Sequence, residues 1–287
     1  MIRWCLLILI CLTCCSKPQE SSVPHEGPRI VSLSPAMTSA LEDAGLGPYL
    51  VGRSNWCRPM TRSLDEIPAV GDLHERDWEA LIRISPTHVF FQSEDVSSDQ
   101  AMVELAAQQN WALQAWPLRT IGDIKKMLDD LPSTIQFENQ EKNQNLLLRC
   151  DQLGASLIQS ISPTPIASGQ RVLIVNDGVP PLAWGTTTYL GEMLEATDAE
   201  NVAGEGGWKT LSMEDVVRLR PDLIIVVSDQ VTDDEPAILQ EPLASISSEQ
   251  CQWLIHPRIN FPGPHLVEAC ADLKSILSAN GASGTNR

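Results

Sequence analysis

Apolar and polar positions in the first half of the chain are grouped as they are in α/β proteins. Residues 29–33 (RIVSL) form a short β-branched run, which predicts a strand, and residues 36–44 have the apolar spacing of a helix up to a glycine. Pro86 ends a second helical pattern just before another apolar run. The pattern therefore predicts strands at 29–33, 49–52 and 89–91, and helices at 36–44 and 77–84.

The second half repeats this order of elements. Its apolar runs predict strands at 171–175, 201–203 and 223–227, and helices at 190–194 and 212–219. Short strands that alternate with helices are typical of parallel sheets covered by helices. We therefore expect two α/β lobes, an N-terminal lobe over residues 29–137 and a C-terminal lobe over residues 166–280, followed by a tail at 281–287.

One helix and strand unit occurs twice. Residues 78–92 are WEALIRISPTHVFFQ, and residues 213–227, 135 positions later, are MEDVVRLRPDLIIVV. Both segments have Glu, Arg and Pro at the same positions and end in an apolar run, as a buried strand requires. Two copies at matching points predict two similar, Rossmann-like lobes with parallel sheets. Chance similarity of two αβ units is the alternative, because only these three residues are identical.

A long helical pattern separates the two halves. Residues 138–161 have a polar beginning, apolar residues near helical spacing and no proline. At the helical rise this segment would reach about 36 Å, enough to run the height of both lobes. We assign residues 138–165 to a connecting backbone helix. Because such a connector is stiff, we expect the ligand cleft between the lobes to close only slightly on binding.

The amino terminus has the features of a lipoprotein signal. Arg3 precedes the apolar run 4–13, which is too short to span a bilayer, and small residues then lead to Cys15. Residues 1–15 resemble a bacterial lipoprotein signal with Cys15 as the lipidated residue, and residues 16–28 have the composition of a flexible tether. We expect a membrane-anchored lipoprotein of the periplasm, and an uncleaved membrane anchor is the alternative.

Charge and cysteine content exclude some partners and sites. The chain has a net charge of −17, which opposes binding to the phosphates of nucleic acids. Four of the eight cysteines lie in the leader, and no CxxC pair occurs among the others, so no zinc ribbon is indicated. An oxidising exterior would permit a bridge, for example between Cys251 and Cys270. The pairing stays open among Cys57, Cys150, Cys251 and Cys270.

These segments together resemble the helical-backbone class of periplasmic binding proteins, which serve ABC importers for cobalamin, ferric siderophores and haem. The similar segments are RIVSLSPAMTSALEDAGLGPYLVG, AVGDL, the two repeat copies, the long helix and the terminal GPHLVEACADLKSIL, and they cover about residues 29–278. The similarity is greatest to the cobalamin-binding member, because PPLAWGTTTYLGEMLEATDAENVAGEGGW is similar to the opening of its second lobe. The resemblance implies a receptor, with no cofactor of its own, that delivers cobalamin or a related corrinoid to a permease dimer. A ferric siderophore or haem is the alternative ligand.

Tryptophan is the most frequent aromatic residue, with eight Trp against two Tyr and four Phe. A corrin or porphyrin ring requires aromatic planes and a few polar groups in its site. Trp56, Trp184 and Trp208 fall in predicted loops, which is where α/β sheets hold ligands. The resemblance matches Trp56 and Trp208 to aromatic residues that contact the ring and puts Trp184 near a third. Packing of each indole against its own lobe is the alternative.

Polar contacts to the ligand are expected from loops as well. The first strand-to-helix turn at 34–36 can offer backbone N–H groups to a polar edge of the ligand. The threonines at 186–188 allow the same interpretation, or they form a plain N-cap. The resemblance implies further contacts from the loop before the last helix. The predicted ligand contacts are Ser34, Pro35, Ala36, Trp56, Trp184, Trp208, Arg258, Asn260 and Phe261.

Glu79 and Glu214 have the same position in the two repeat copies. In the resembling family one such Glu on each lobe pairs with Arg residues on the two permease subunits, which implies that both residues dock the importer. A two-fold symmetric partner would match the pseudo-symmetry of the lobes. The alternative is that the helix dipole favours an acidic residue early in each helix.

A metal carrier and an enzyme are the other functions that such an architecture could support. His74, His256 and His265 are the only plausible metal-binding set, and they have no evident Asp or Glu partner. The chain contains no GxSxG, P-loop or GxGxxG pattern. We therefore assign no catalytic residue and no metal ligand, and we do not expect an enzyme.

Overall fold

Two sheets covered by helices lie on either side of one long helix. The computed structural model describes residues 27–57, 62–72, 74–231, 235–239 and 246–284. The signal with Cys15 and most of the tether lie outside the described residues, so the expectations about them stay predictions. No helix in the described ranges combines the length and the apolar composition needed to cross a bilayer.

The first sheet is wholly parallel, with strand order β2-β1-β3-β4. Its strands are buried in the middle, as parallel strands between helices must be. The strands are β1 (Ile30–Ser32), β2 (Leu50–Gly52), β3 (His88–Gln92) and β4 (Ala112–Trp116). The helices of this half are α1 (Pro35–Asp43), α2 (Arg62–Asp65), α3 (Trp78–Ile84), α4 (Gln100–Gln109) and α5 (Ile121–Thr134).

The predicted connecting helix is α6, which runs over Gln140–Ser160. Its 21 residues span about 31 Å, slightly less than predicted, because the helix begins two residues later and ends one residue earlier. The side chain of Asn139 caps the amino end by accepting from the backbone N–H groups of Glu141 and Lys142. The helix packs against α5 on one side and against the last helix of the chain on the other.

The second sheet is mixed, whereas we expected it to be parallel. Its path is β10-β9-β5-β6-β8, with β7 beside β5, and β6 pairs antiparallel with both neighbours. Only five residues connect β5 to β6, too few for the crossover that a parallel pair requires. The strands are β5 (Arg171–Asn176), β6 (Leu182–Trp184), β7 (Glu200–Asn201), β8 (Trp208–Thr210), β9 (Leu223–Ser228) and β10 (Cys251–Ile255). The helices are α7 (Tyr189–Glu195), α8 (Met213–Leu219) and α9 (Leu266–Gly284).

Matching contacts in the two lobes confirm the internal repeat. The helices α3 and α8 each end at a residue with left-handed backbone, Ser85 (φ 49°) and Arg220 (φ 46°). The guanidinium of Arg29 donates to the carbonyl oxygens of Ser85 and of the residue before it. Arg171 makes the same two bonds to Arg220 and its predecessor. Because each Arg stands at the start of the first strand of its lobe, each repeat helix ends at the amino end of that strand.

A single apolar core extends through both lobes. It includes buried residues of β1, β5 and β9 together with the inner faces of α1, α5, α6 and α9. Two smaller cores cover the outer faces of the first and the second sheet. Because the lobes share one core, they pack as a continuous body rather than as two units on a flexible linker.

Asp43 at the end of α1 joins the first lobe to the second. Its carboxylate accepts a hydrogen bond from Nη1 of Arg258 (2.8 Å) and lies 3.2 Å from Nδ1 of His265. Burial raises the pKa of Asp43, but the hydrogen bonds from His265 and Arg258 outweigh burial, so the pKa lies below the ordinary 3.8. We name Asp43, Arg258 and His265 the interlobe clasp.

The four cysteines of the described chain are buried free thiols. Cys251 on β10 and Cys270 on α9, for which the sequence permits a bridge, are not bonded to each other. The thiol of Cys270 instead donates to the carbonyl oxygen of Ser160 at the end of α6 (3.3 Å). The thiols therefore act as small apolar side chains in the core.

Candidate ligand-binding cleft

A cleft of about 480 Å³ lies between the strand ends of the first sheet and Trp208 of the second lobe. Most of its described lining follows the carboxyl ends of β1 to β4, where open α/β sheets hold ligands. The volume is within the range of small-molecule sites. The lining residues are Leu33, Ser34, Pro35, Ser54, Trp56, Asp72, His74, Gln92, Ser93, Glu94, Pro117, Arg119 and Trp208.

Trp56 is the most exposed aromatic side chain of the cleft, with 71% of its surface open to solvent. Its indole Nε1 donates to Oδ2 of Asp72 (2.6 Å). The other oxygen of Asp72 accepts from the backbone N–H groups of His74 (2.7 Å) and Glu75 (2.9 Å). The bonds from Glu75, His74 and Trp56 hold the pKa of Asp72 below its usual value. Asp72 therefore stays ionised and fixes the indole by its edge, while most of the Trp56 surface stays exposed.

Trp208 contributes the second aromatic surface, and 37% of it is exposed. Its ring meets the ring of Tyr189 edge to face, with centroids 6.4 Å apart and an interplanar angle of 61°. Tyr189 is buried, and its hydroxyl donates to the carbonyl oxygen of Ile259 (2.9 Å). The indole of Trp208 thus rests on a fixed aromatic support, which limits the rotamer freedom lost on binding.

Ser34 and Gln92 connect the loops at the floor of the cleft. The hydroxyl of Ser34 caps α1 by accepting from the backbone N–H of Met37 (3.4 Å) and donates to Oε1 of Gln92 (3.0 Å). The amide nitrogen of Gln92 donates to the carbonyl oxygen of Pro117 (3.1 Å). Ser34 and Pro35 are part of the described lining, whereas Ala36 is buried in the first turn of α1 and is not.

Arg119 and Glu94 form an exposed ion pair on the cleft wall, with N and O atoms 2.6 Å apart. Both side chains are more than half exposed, so water screens the pair and it adds little stability. The backbone of Arg119 is held more firmly, because its N–H donates to Asp123 (2.9 Å) and its carbonyl accepts from the N–H of Tyr189 (2.7 Å). The two walls of the cleft are therefore joined by a direct backbone contact.

Trp184 does not contribute to the described lining, in contrast to our expectation. It is 3% exposed and belongs to the shared core. The loops that the sequence predicts at Trp184 and Trp208 are strands β6 and β8, in which Trp184 is paired directly with Trp208. Directly opposed residues share one face of a sheet. Of the two indoles on this face, only Trp208 reaches the cleft.

The loop before α9 also has a different role from the one expected. Arg258 turns to α1, where Nη1 donates to Asp43 and to the hydroxyl of Ser39 (3.1 Å). Asn260 is exposed, and Phe261 packs against the shared core. None of these three residues is part of the described cleft lining.

The three histidines considered as a metal set do not come together. His74 is exposed in the cleft lining. His256 and His265 are buried at the lobe interface, where their rings stack with centroids 5.8 Å apart. Within the described ranges, no three His, Cys, Asp or Glu side chains are grouped as a metal ion would require.

Glu79 and Glu214 are exposed in the first turns of α3 and α8. Glu79 and Glu214 therefore occupy equivalent positions in the structure as well as in the sequence, because the two helices have the same length and similar caps. Of the threonines at 186–188, Thr188 fits the plain capping interpretation: its hydroxyl accepts from the N–H of Gly191 (3.1 Å) and donates to the carbonyl of Gly185 (2.7 Å).

Several lining residues were not predicted. Gln92, Ser93 and Glu94 follow the apolar run of β3 directly, and the rule that ligands lie beyond strand ends could have found them. Asp72 and Arg119 carry no such local signal. Arg119 follows β4, whose sequence ALQAW alternates too weakly to define a strand end.

Comparison with known proteins supports the fold. No protein-family model matches the chain. The substrate-binding lipoprotein YvrC of Bacillus subtilis, an ABC transporter protein, is 24% identical over 212 residues, which cover 72% of this chain and 66% of YvrC, just under two thirds. The haem uptake protein IsdE of Staphylococcus aureus is 23% identical over 244 residues, 82% of this chain and 79% of IsdE.

Solved structures extend this similarity over most of the chain. The periplasmic vitamin B12 binding protein BtuF of Vibrio cholerae superposes with a TM-score of 0.64 at 17% identity, and the match covers 91% of this chain and 99% of BtuF. The two lobes, the connecting helix and the cleft between them are thus features of a known architecture. The resemblance indicated by the sequence is confirmed at the level of the fold, which is that of the periplasmic binding proteins of ABC importers.

Proposed function

We propose that this protein is an extracytoplasmic receptor that captures a large planar ligand, cobalamin or a related corrinoid, and delivers it to an ABC importer. The observation that carries the proposal is the pair of exposed indoles, Trp56 from the first lobe and Trp208 from the second, on one cleft. Large exposed aromatic surfaces are unfavourable in water unless a partner covers them. A flat ring between the lobes would cover both.

The charged residues of the described lining favour a corrinoid over ligands that carry carboxylates. Among the described lining residues, Arg119 is already paired with Glu94, and Asp72 is an acceptor for three N–H groups. A carboxylate of haem or of an acidic siderophore would have to compete with Glu94 for Arg119, the one arginine of the described lining. The carboxamide fringe of a corrinoid can exchange hydrogen bonds with Ser34 and Gln92 instead.

Haem or a ferric siderophore is the second candidate, and His74 is the observation in its favour. An exposed imidazole in the lining could bind the iron of a haem. IsdE, one of the relatives, is named as a haem uptake protein. A transition-metal carrier and an enzyme on the same scaffold have less support, since His74 lies apart from the stacked His256 and His265 pair.

Delivery requires docking, for which Glu79 and Glu214 are the proposed contacts. Each lobe offers one exposed carboxylate at the same point of its repeat helix. A permease dimer with one cation on each subunit would match this arrangement. Anchoring through a lipid on Cys15 would hold the receptor at the membrane. The relative YvrC, described as a substrate-binding lipoprotein, is consistent with such an anchor.

Calorimetry of the purified protein against cobalamin, haem and a ferric siderophore in parallel tests the proposal. We expect cobalamin to bind with quenching of tryptophan fluorescence. Trp56→Ala and Trp208→Ala should each weaken binding by about 2 kcal/mol, roughly thirtyfold, as loss of an aromatic anchor does. Trp253→Phe, on β10 outside the described lining, is the control and should bind as the wild type.

The alternatives predict different results. Haem binding that His74→Ala abolishes, with no binding of cobalamin, would favour the second candidate. Absence of binding to all three compounds, or equal affinities of the Trp56→Ala, Trp208→Ala and control variants, would refute the proposed receptor function for planar ligands.

A further inference from the structure

Each repeat helix carries one exposed aliphatic side chain at the same position. Ile82 on α3 is 44% exposed and Val217 on α8 is 37% exposed. They are 135 positions apart, which is the spacing of the repeat itself. Single exposed apolar residues are common on protein surfaces, but a matched pair on duplicated helices calls for a shared explanation.

The aliphatic side chains lie on the same side of their helices as the docking carboxylates. Ile82 follows Glu79 by three residues, and Val217 follows Glu214 by three. Residues three apart on a helix are neighbours on its surface. The preceding residues, Leu81 and Val216, are fully buried. Each helix therefore presents an acidic residue and an aliphatic residue outward, next to a face that packs into its lobe.

Neither aliphatic side chain belongs to an apolar core. The outer core of the first lobe includes Trp78, Leu81 and Ile84 of α3 but not Ile82. The outer core of the second lobe includes Met213, Val216 and Leu219 of α8 but not Val217. Ile82 and Val217 thus remain available for a partner.

Both helices begin near the cleft. Arg29 binds the carboxyl end of α3 at the amino end of β1, and Arg171 binds the carboxyl end of α8 at the amino end of β5. The first turns of both helices therefore point toward the carboxyl ends of the strands. Glu79 lies in one surface depression with Asn55 and Gly71, the chain neighbours of cleft residues. The helix of Glu214 directly follows β8, which begins with Trp208.

The carboxylates of Glu79 and Glu214 favour a partner with a cationic group at each of these two positions. No ion pair joins Glu79 or Glu214 to another side chain of the described chain, whereas the neighbouring Arg218 is bound to Asp215 (3.1 Å). The free carboxylates can thus accept cations from a partner. An apolar contact beside each would shield these ion pairs from water and strengthen them.

We propose that Ile82 and Val217 are docking residues, and that the partner is a two-fold symmetric pair of permease subunits in which each subunit has a cation beside a shallow apolar recess. This inference rests on the proposed function, because it extends the docking surface of the importer. It assigns to each lobe a two-part contact, one carboxylate and one aliphatic side chain.

Photo-crosslinking in the native cells identifies the partner. A photoreactive residue at position 82 and, in a second protein, at position 217 should both crosslink to the permease subunit of one ABC importer. The same residue at position 148 is the control, because Leu148 is an exposed aliphatic residue on α6. Crosslinks from 148 but not from 82 or 217 would refute the inference.

Binding to that importer in nanodiscs then measures the contribution of the two side chains. Burial of a half-exposed aliphatic side chain predicts that Ile82→Ser and Val217→Ser each weaken binding about fivefold, and about 25-fold together. Leu148→Ser should have no effect. Calorimetry with cobalamin should give wild-type values for all three variants.

One outcome would refute only this inference. Cobalamin would bind, and the double variant Glu79→Ala with Glu214→Ala would abolish docking, but the Ser variants would dock normally; the receptor function would then stand. If cobalamin, haem and siderophore all fail to bind, the receptor function fails instead.

Discussion

Replacement of Asp43 by Asn should loosen the contact between the lobes. The variant removes the charge that the clasp places between Arg258 and His265 while keeping the shape of the side chain. Breaking a fully buried ion pair costs about 3–5 kcal/mol. Here the side chains of Asp43 and Arg258 are 19% and 26% exposed, and Arg258 keeps its bond to Ser39. We therefore expect a loss of about 2 kcal/mol in the free energy of unfolding.

Calorimetric melting at pH 7 measures this loss. For a protein of this size, 2 kcal/mol lowers the Tm by about 3–4 °C. The matched control is Asp129→Asn, which breaks the exposed pair with Lys125 on α5 (2.6 Å). Exposed helix pairs contribute about 0.3–0.5 kcal/mol, so the control should change the Tm by about 1 °C. Equal Tm values for the two variants would refute the role of the clasp.

The pH dependence gives a second test of the same contact. The folded-state pKa of Asp43 lies below 3.8, so its carboxylate stabilises the fold above about pH 4. This stability is lost as the pH falls through the folded-state pKa, because the protonated acid no longer pairs with Arg258. The Tm difference between wild type and Asp43→Asn should therefore persist at pH 5 and shrink below about pH 4. A difference that stays constant to pH 3 would contradict this explanation.

Two further predictions concern the cleft and the core. Asp72→Asn should release the edge of Trp56 and weaken cobalamin binding in calorimetry by about three- to tenfold, in line with the loss of one ordinary hydrogen bond at an exposed site. A loss larger than that of Trp56→Ala would mean that Asp72 contacts the ligand itself. Burial raises the pKa of Cys150 and Cys251 to about 11, so thiol reagents at pH 8 should label neither until denaturant is added. Rapid labelling of the native protein, detected by mass spectrometry, would contradict the buried free thiols.

Much of the fold could be predicted from the sequence in segments with a clear hydrophobic periodicity or an internal repeat. The boundaries of β1, α3 and β9 lie within two residues of those predicted, because β-branched runs and helical spacing are strong local signals. The strands β6 (LAW) and β8 (WKT) were missed because neither contains a run of β-branched residues like the one that marks β1. The antiparallel edge of the second sheet was missed for the same reason.

The candidate site was predictable only in part. Trp56 lies in a loop that lines the cleft, as predicted. Trp208 also lines the cleft, but it begins strand β8 and does not lie in the predicted loop. Trp184 stands beside Gly185 and was also assigned to a loop, and only the pairing of β6 with β8 explains its burial. Arg258 is 215 positions from Asp43, and no local pattern encodes a contact over that distance.

The proposed function accounts for both the duplicated and the divergent parts of the molecule. A two-fold symmetric importer requires equal presentation from both lobes, and α3 and α8 provide it because Arg29 and Arg171 hold their carboxyl ends in the same way. A corrinoid ligand has no such symmetry. Accordingly, the first lobe supplies most of the described lining, and the second supplies Trp208. Equivalent substitutions on the two repeat helices should therefore weaken docking equally, whereas substitutions of lining residues in the two lobes need not have equal effects on ligand binding.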